Sequence, residues 1–461
     1  MHDIKASSPS RGLARSTILW FWLPLAATWL MMSAEGPYVA AIIARMPEAA
    51  LNLAAYGVAF SLAWLVESPI MMLLTASNSL VRDRQSFLAL RRFAYRMNAA
   101  VTAAMVILVA PPVFGFVGGS LMGLPPEVAD RAHAAVAILI LWPAAIGYRR
   151  FYQGILVRHG LARRVAYGTV VRLASMSMAA GALALWSPLG GAAIGGAALA
   201  AGVVIEAAAS RLMARRVVAS LMAEPARAEA DAPPLTQRAI FRFYYPLALT
   251  SMISLITGPL LTFFMGRSRQ PIESLAVLPV VQSLVFLFRS GGVAFQEVGV
   301  ALIGRGLEHQ RDVGRAGLTL AAGASIALAI VLFTPLADAW LRQVSGLPPE
   351  LAQFALMPAR LLVLLPAMEY WLSYQRSRYI LTGRTRVITL ATAIEVAGIA
   401  LLLFVCIGWL GMIGAIAGSV AQISGRFASN LFLFGASRVA PPEGHEGSGS
   451  IRCGWPDGLQ N

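Results

Sequence analysis

Several charged side chains lie inside long apolar runs, among them Glu35, Glu67, Arg172, Glu206, Arg289, Glu297, Arg360, Glu369 and Glu395. In hydrocarbon such a charge costs from about 3 to above about 10 kcal/mol, so it pairs, snorkels to water or faces a wet cavity. A desolvated carboxylate can take up a proton or sodium ion, and a guanidinium grips a carboxylate or phosphate bidentately. On those grounds Glu35, Glu67, Arg289, Arg360 and Glu369 are candidates for substrate binding, ion binding or gating. Arg172, Glu395, Glu206 and Glu297 read as structural intramembrane charges.

Glu35 stands beside Gly36-Pro37, which should kink the first helix and free backbone carbonyls beside a carboxylate. That suits a proton or sodium site; the competing reading is a Glu near the outer interface. Glu67 and Arg289 are 222 positions apart, the period of an internal repeat described below. They would meet across a central cleft, or each would pair within its own half. Ser68-Pro69 and Ser290-Gly291-Gly292 follow them, so both helices are expected to bend there. Arg172 and Glu395, 223 apart, are expected to pair within their halves. Arg360 and Glu369, nine residues apart in the tenth helix, point to roughly opposite sides. Arg360 is the anion candidate, against an outer-interface arginine. Tyr370, Trp371, Tyr374 and Gln375 would line the inner half of that helix or face lipid, and Asn78 and Asn98 read as helix-end groups.

The elements that must hold these residues are membrane spans. The 461 residues are 58% hydrophobic and 13% charged, with a mean hydropathy of +0.68, whereas soluble proteins carry roughly 25% charged residues. A span takes about 20 helical residues. Twelve apolar segments fall at about 18–44, 50–75, 97–118, 132–154, 165–186, 188–212, 241–266, 273–303, 316–337, 351–381, 387–408 and 411–435. The chain divides into an N-terminal tail (1–17), a first lobe (18–212), a linker (213–240), a second lobe (241–436) and a Gly/Ser-rich tail (437–461) expected to be disordered. Thirty-six of the 37 basic residues are arginine, the exception being Lys5, and the net charge is +15. The arginines crowd into alternate short loops, so the topology rule explains the charge better than nucleic acid does. That rule predicts a multi-pass protein of the inner cell membrane with both termini cytoplasmic.

The two lobes repeat one another. Trp22-Leu-Pro-Leu-Ala26 matches Tyr244-Tyr-Pro-Leu-Ala248, Gly36-Pro37 matches Gly258-Pro259 and Ser61-Leu62 matches Ser283-Leu284, all at an offset of 222. Gly123-Leu-Pro-Pro-Glu127 recurs as Gly346-Leu-Pro-Pro-Glu350, and Pro143 and Gly160 recur as Pro366 and Gly383, at 223. A unit of six spans enters from the same side each time, so the copies are related by a pseudo-two-fold axis along the membrane normal. The fold expected is all-α, with twelve transmembrane helices in two six-helix lobes.

Pro24-Leu-Ala26, Ala55-Tyr-Gly-Val-Ala-Phe-Ser-Leu62, Asn78 and Arg82-Asp-Arg84 resemble the progressive ankylosis protein family. So do Tyr245-Pro-Leu-Ala-Leu249, Pro259, Arg267 and Pro358-Ala-Arg-Leu-Leu-Val-Leu-Leu-Pro366. That branch belongs to the superfamily of multidrug and toxic compound extruders (MATE) and polysaccharide flippases (MOP). The resemblance implies a V-shaped, alternating-access transporter, and export of small organic or phosphorylated anions. An ion-coupled extruder of cationic drugs and a flippase for a lipid-linked sugar are the alternatives.

Enzyme readings fail on inventory. Lys5, the only lysine, cannot serve a Walker A loop. His2, His133, His159, His309 and His445 are dispersed, without metal-ligand spacing. Cys406 and Cys453 form no CxxC. No cofactor or metal is expected beyond a coupling ion, H+ or Na+. The expected partners are membrane lipids and a small-molecule substrate, with no nucleic acid, and the chain is expected to be a monomer.

Overall fold

The computed structural model describes residues 13–223, 235–304 and 306–439. Within them are eleven helices long and apolar enough to cross a membrane: α1 (Arg15–Ala44), α2 (Ala49–Leu80), α3 (Arg84–Val109), α4 (Pro126–Arg158), α5 (Arg163–Trp186), α6 (Gly191–Ala223), α7 (Gln237–Gly266), α8 (Pro271–Leu302), α9 (Gln310–Phe333), α10 (Pro349–Leu381) and α11 (Thr385–Trp409). A twelfth, α12 (Gly414–Val439), has the length but carries Gln422, Arg426 and Asn430. The chain is an all-α, multi-pass membrane protein of two six-helix lobes. The face on which α1 starts and α12 ends is called the near face below, and its opposite the far face.

Several helices outrun the apolar segments. α3 starts at Arg84, not at 97, because Asp83 and Ser86 form a reciprocal capping box there. α6 continues to Ala223, beyond 212, because Ala214, Val218 and Leu221 stay buried while Arg215 and Arg216 are exposed. That amphipathic pattern keeps a helix going after the hydrocarbon ends. The remainder of the expected linker, 224–234, and the tail from 440 lie outside the described residues.

Prolines set the breaks. α1 is interrupted at Ala34, between Arg15–Ser33 and Glu35–Ala44, and α7 at Ile256, between Gln237–Leu255 and Thr257–Gly266. Pro37 and Pro259 crowd the carbonyls four residues back, Ser33 and Leu255. α4 and α10 break likewise before Pro143 and Pro366. α2 gives way to a 3-10 turn at Ser68–Ile70, as expected at Pro69. α8 does not bend at Gly291-Gly292 but runs unbroken. A side chain on Gly291 would sit 2.9 Å from the Trp22 ring, and one on Gly292 would press on Glu369 at 3.1 Å. These glycines permit close packing, not bending.

Each lobe lends the near half of its first helix to the other. Ile18 of α1 is buried among Phe295, Val298, Val313 and Tyr370 of the second lobe. Ile240, Tyr244 and Ala248 of α7 are buried among Phe93, Phe151 and Tyr152 of the first. Trp22 Nε1 donates to the Gly291 carbonyl at 2.9 Å, and Tyr244 Oη to the Pro69 carbonyl at 2.5 Å. Both donors and both acceptors are 222 apart, so one contact is made twice.

Close approach of α8 to α10 depends on Gly299, where a Cβ would lie 2.6 Å from Ser377 Cβ, whereas nothing lies within 4 Å of a Cβ at Gly181. Gly299→Val should therefore destabilise by about 1–3 kcal/mol through overpacking. Gly181→Ala should be neutral or stabilising by up to about 1 kcal/mol through helix propensity. Melting of the detergent-purified variants checks both, and equal melting points would contradict the packing account.

Candidate translocation site

Two buried ionic clusters occupy the lobes. In the first lobe, Arg149 on α4 pairs with Glu206 on α6, and Arg172 on α5 pairs with Glu35 at the α1 break. Arg172 Nε also lies 3.6 Å from Glu206, and Gln153 donates to Glu206 at 3.1 Å. Glu206 is fully buried, and Glu35 keeps 14% of its side chain exposed. The break in α1 places that carboxylate, since Glu35 is the first residue of the far half-helix, where orphan N–H groups favour negative charge.

In the second lobe, Glu369 on α10 receives two arginines on one oxygen: Arg289 of α8 at 2.8 Å and Arg426 of α12 at 2.7 Å. Arg426 also donates to Glu395 of α11 at 2.8 Å. Arg376 bonds Thr392 at 3.1 Å, and Gln375 bonds Asn430 at 2.9 Å. Three arginines thus stand around two glutamates. Arg289 keeps 19% of its side chain exposed, more than Glu369 at 7% or Arg426 at 13%.

The structure brings some expected residues together and separates others. Glu67 and Arg289 do not meet: Arg289 pairs with Glu369 in its own lobe, while Glu67 is buried with Oε2 lacking any hydrogen-bond partner among the described residues. Arg172 and Glu395 each pair within their lobe, as expected. Arg360 is no part of either cluster. It is exposed, donates to the Leu332 carbonyl at 3.0 Å, and lies 5.1 Å over the Phe333 ring. It therefore caps the last turn of α9, where a cation complements the helix dipole. Glu297 is exposed and makes no ion pair with the described residues, so it is not a buried structural charge. Tyr370 and Tyr374 are buried, Tyr374 donating to the Gln310 carbonyl at 3.0 Å. Asn98 lies mid-helix in α3, not at a helix end.

Sequence reading placed Arg149, Arg150 and Arg376 in loops, because each sits toward the near end of a helix, and passed over Arg426, which lies in the middle of α12. It also missed what closes the far face. Arg45, after α1, donates to the carbonyls of Gln343 at 2.5 Å and Val344 at 3.0 Å in the second lobe. Arg267, after α7, donates to the Ser120 carbonyl at 2.8 Å in the first. The acceptors end two π-helical turns, Phe116–Leu121 and Ala339–Val344, whose last carbonyls lack intrahelical donors. Gly346 (φ +72°) and Gly123 (φ +64°) seat the arginines: a Cβ there would lie 2.9 Å from Arg45 Cγ and 3.0 Å from Arg267 Cγ. The recurring Gly-Leu-Pro-Pro-Glu motif thus forms the other lobe's arginine seat. The available signal was the 222-residue spacing of Arg45 and Arg267. Beneath the arginines, Ser61 of α2 and Thr262 of α7 share a hydrogen bond of 3.0 Å across the lobes.

This two-lobe, twelve-helix arrangement is the fold of the MATE and lipid-flippase transporters of the MOP superfamily. An inward-facing multidrug-resistance MATE transporter superposes with a TM-score of 0.65 at 15% identity, over 90% of this chain and 96% of that one. The lipid II flippase MurJ, inward-closed, gives 0.66 at 12% identity over 93% and 88%. The MATE multidrug transporter DinF-BH, solved as a complex, gives 0.66 at 14% over 93% and 98%. Neither a family profile nor a curated protein sequence matches the chain.

The paired arginines should hold the far face shut together. In a cysteine-free background with one reporter cysteine at Ser61, far-side thiol labelling should rise roughly 100-fold in Arg45→Ala/Arg267→Ala, on about 1 kcal/mol for each of the lost bonds. Either single variant should fall between. Unchanged labelling in the double variant would contradict the closure. In the second cluster, Glu369→Ala should cost about 3–5 kcal/mol, since it leaves Arg289 and Arg426 buried together without their carboxylate; adding Arg289→Met should recover part of the loss in the melting temperature.

Proposed function

We propose that the chain is a secondary active transporter that exports small organic or phosphorylated anions by alternating access, in the manner of the progressive ankylosis branch. The observation that carries the anion reading is Arg289. It lies on α8, the helix that α1 of the other lobe packs against, in a cluster with one more arginine than glutamate. Its guanidinium is the most exposed of that cluster's ion-paired groups. Glu369 and Arg426 hold it in place, so its free N–H groups are oriented before a ligand arrives. The reading puts the arginine-rich near face in the cytoplasm of the inner membrane. The far-face contacts then make this an inward-oriented state, consistent with the inward-facing and inward-closed neighbours.

A second reading, an ion-coupled extruder of cations, rests on Glu35, a partly exposed carboxylate at a helix break. Several of the structural neighbours are multidrug transporters by name. In the anion reading Glu35 and Glu67 are the sites for a coupling proton or sodium ion.

Counterflow in proteoliposomes decides between them, with citrate, pyrophosphate and a cationic dye tested with and without proton and sodium gradients. Saturable anion flux is expected, reduced at least about tenfold by Arg289→Gln through loss of a charge-assisted hydrogen-bond donor. Arg360→Ala should retain that flux. Arg426 still satisfies Glu369 in Arg289→Gln, so folding should survive. Dye flux that requires an ion gradient and is abolished by Glu35→Gln would replace the anion reading with the second one.

A further inference from the structure

A groove of about 960 Å³ runs between α3 and α6 with α4 as its floor. It belongs to the first lobe alone. It is separate from the ionic cluster: Ala144, Ala145 and Tyr148 of α4 line it, while Arg149, Gln153 and Glu206, which bond one another, do not. The groove has room because the side chains of Ala144 and Ala145 on α4 and of Ala207 and Ala208 on α6 are small. Its polarity is confined to one end, where Arg211, Arg215 and Tyr95 stand. No acidic side chain lines it.

The arginine end is built. The Arg211 guanidinium lies 5.0 Å over the Tyr152 ring, and Tyr152 Oη lies 3.2 Å from Tyr95 Oη. Arg215 makes no ion pair with the described residues. On the α3 wall, Asn98 is 9% exposed and its Oδ1 has no hydrogen-bond partner among them. Along α6 the groove spans Val204 to Arg215, which at 1.5 Å per residue is about 16 Å. That is about half of a 30 Å hydrocarbon layer, one leaflet deep.

We propose that this groove binds one anionic phospholipid of the near-face leaflet, its acyl chain on the alanine floor and its phosphate at Arg211 and Arg215. The shape, length and charge fit that occupant jointly. A free phosphate would use the arginines and leave the apolar floor empty; a zwitterionic lipid would fill the floor and gain little from the two positive charges. Basic pockets between membrane helices recognise anionic head groups by this combination.

The test is lipid titration of the purified full chain by native mass spectrometry and melting, with phosphatidylglycerol, phosphatidylcholine and inorganic phosphate in separate arms. Phosphatidylglycerol should bind with one tight site and raise the melting temperature. Arg211→Gln/Arg215→Gln should weaken that site roughly 30-fold. Arg311→Gln/Arg315→Gln, the same charge change on the near end of α9, should leave it unchanged. Ala208→Phe, which fills the floor and keeps both arginines, should abolish it while phosphatidylcholine behaviour stays as in the wild type. Equal binding of the two lipids would overturn the proposal. So would an equal shift with inorganic phosphate, or tight binding that survives both groove variants.

Discussion

Two lobes in a bilayer have no hydrophobic effect to press them together, because lipid tails are as apolar as the helices they would replace. They can be joined only by close packing and by discrete hydrogen bonds, and this chain makes several such contacts twice. Trp22 to Gly291 is answered by Tyr244 to Pro69. Arg45 to Gln343 is answered by Arg267 to Ser120. Gly36 lies against Ser283 as Gly258 lies against Ser61. The pseudo-two-fold axis is therefore a working interface, and the residues that recur at 222 or 223 are largely those that touch across it.

The charges follow a different logic. Equivalent positions carry opposite signs, Glu67 against Arg289 and Arg172 against Glu395, yet neither pair meets. Each lobe pairs its clustered charges internally, through Glu206 in one and Glu369 in the other. An unpaired ion in a dry site costs several kcal/mol, so a lobe that relied on its partner for neutrality could not separate from it. Internal pairing makes the lobes separable, and leaves hydrogen bonds to backbone carbonyls, which water can replace, to join them.

That division explains what could be read from the sequence. Helix number, the two-lobe plan and the breaks at Pro37, Pro143, Pro259 and Pro366 follow from hydropathy, repeat and proline chemistry, each local. The break at Pro69 was legible and the straight run through Gly291-Gly292 was not, because glycine permits both a bend and a close approach, and only Trp22 and Tyr370 decide which. Intralobe partners of Arg172 and Glu395 were legible in kind but not in identity, since hydropathy and repeat do not say which helices of a lobe are neighbours. Arg360 was misread for the same reason: an apolar run conceals that α9 ends beside it and offers a free carbonyl.

The two-fold repetition also shapes how the lobes can part. The far-face acceptors lie on the π-helical turns that lead into α4 and α10, and the donors follow α1 and α7. A rocking motion about the pseudo-axis moves both sets by the same amount, so neither arginine can leave its seat without straining the other. The near-face swaps of α1 and α7 are hinged at Ala34 and Ile256, so they can stay attached to the opposite lobe while the far halves move with their own. Glu35 opens the far half of α1 at that hinge, held by Arg172 of α5. A charge of the first lobe's ionic cluster and the break in its first helix are therefore adjacent residues.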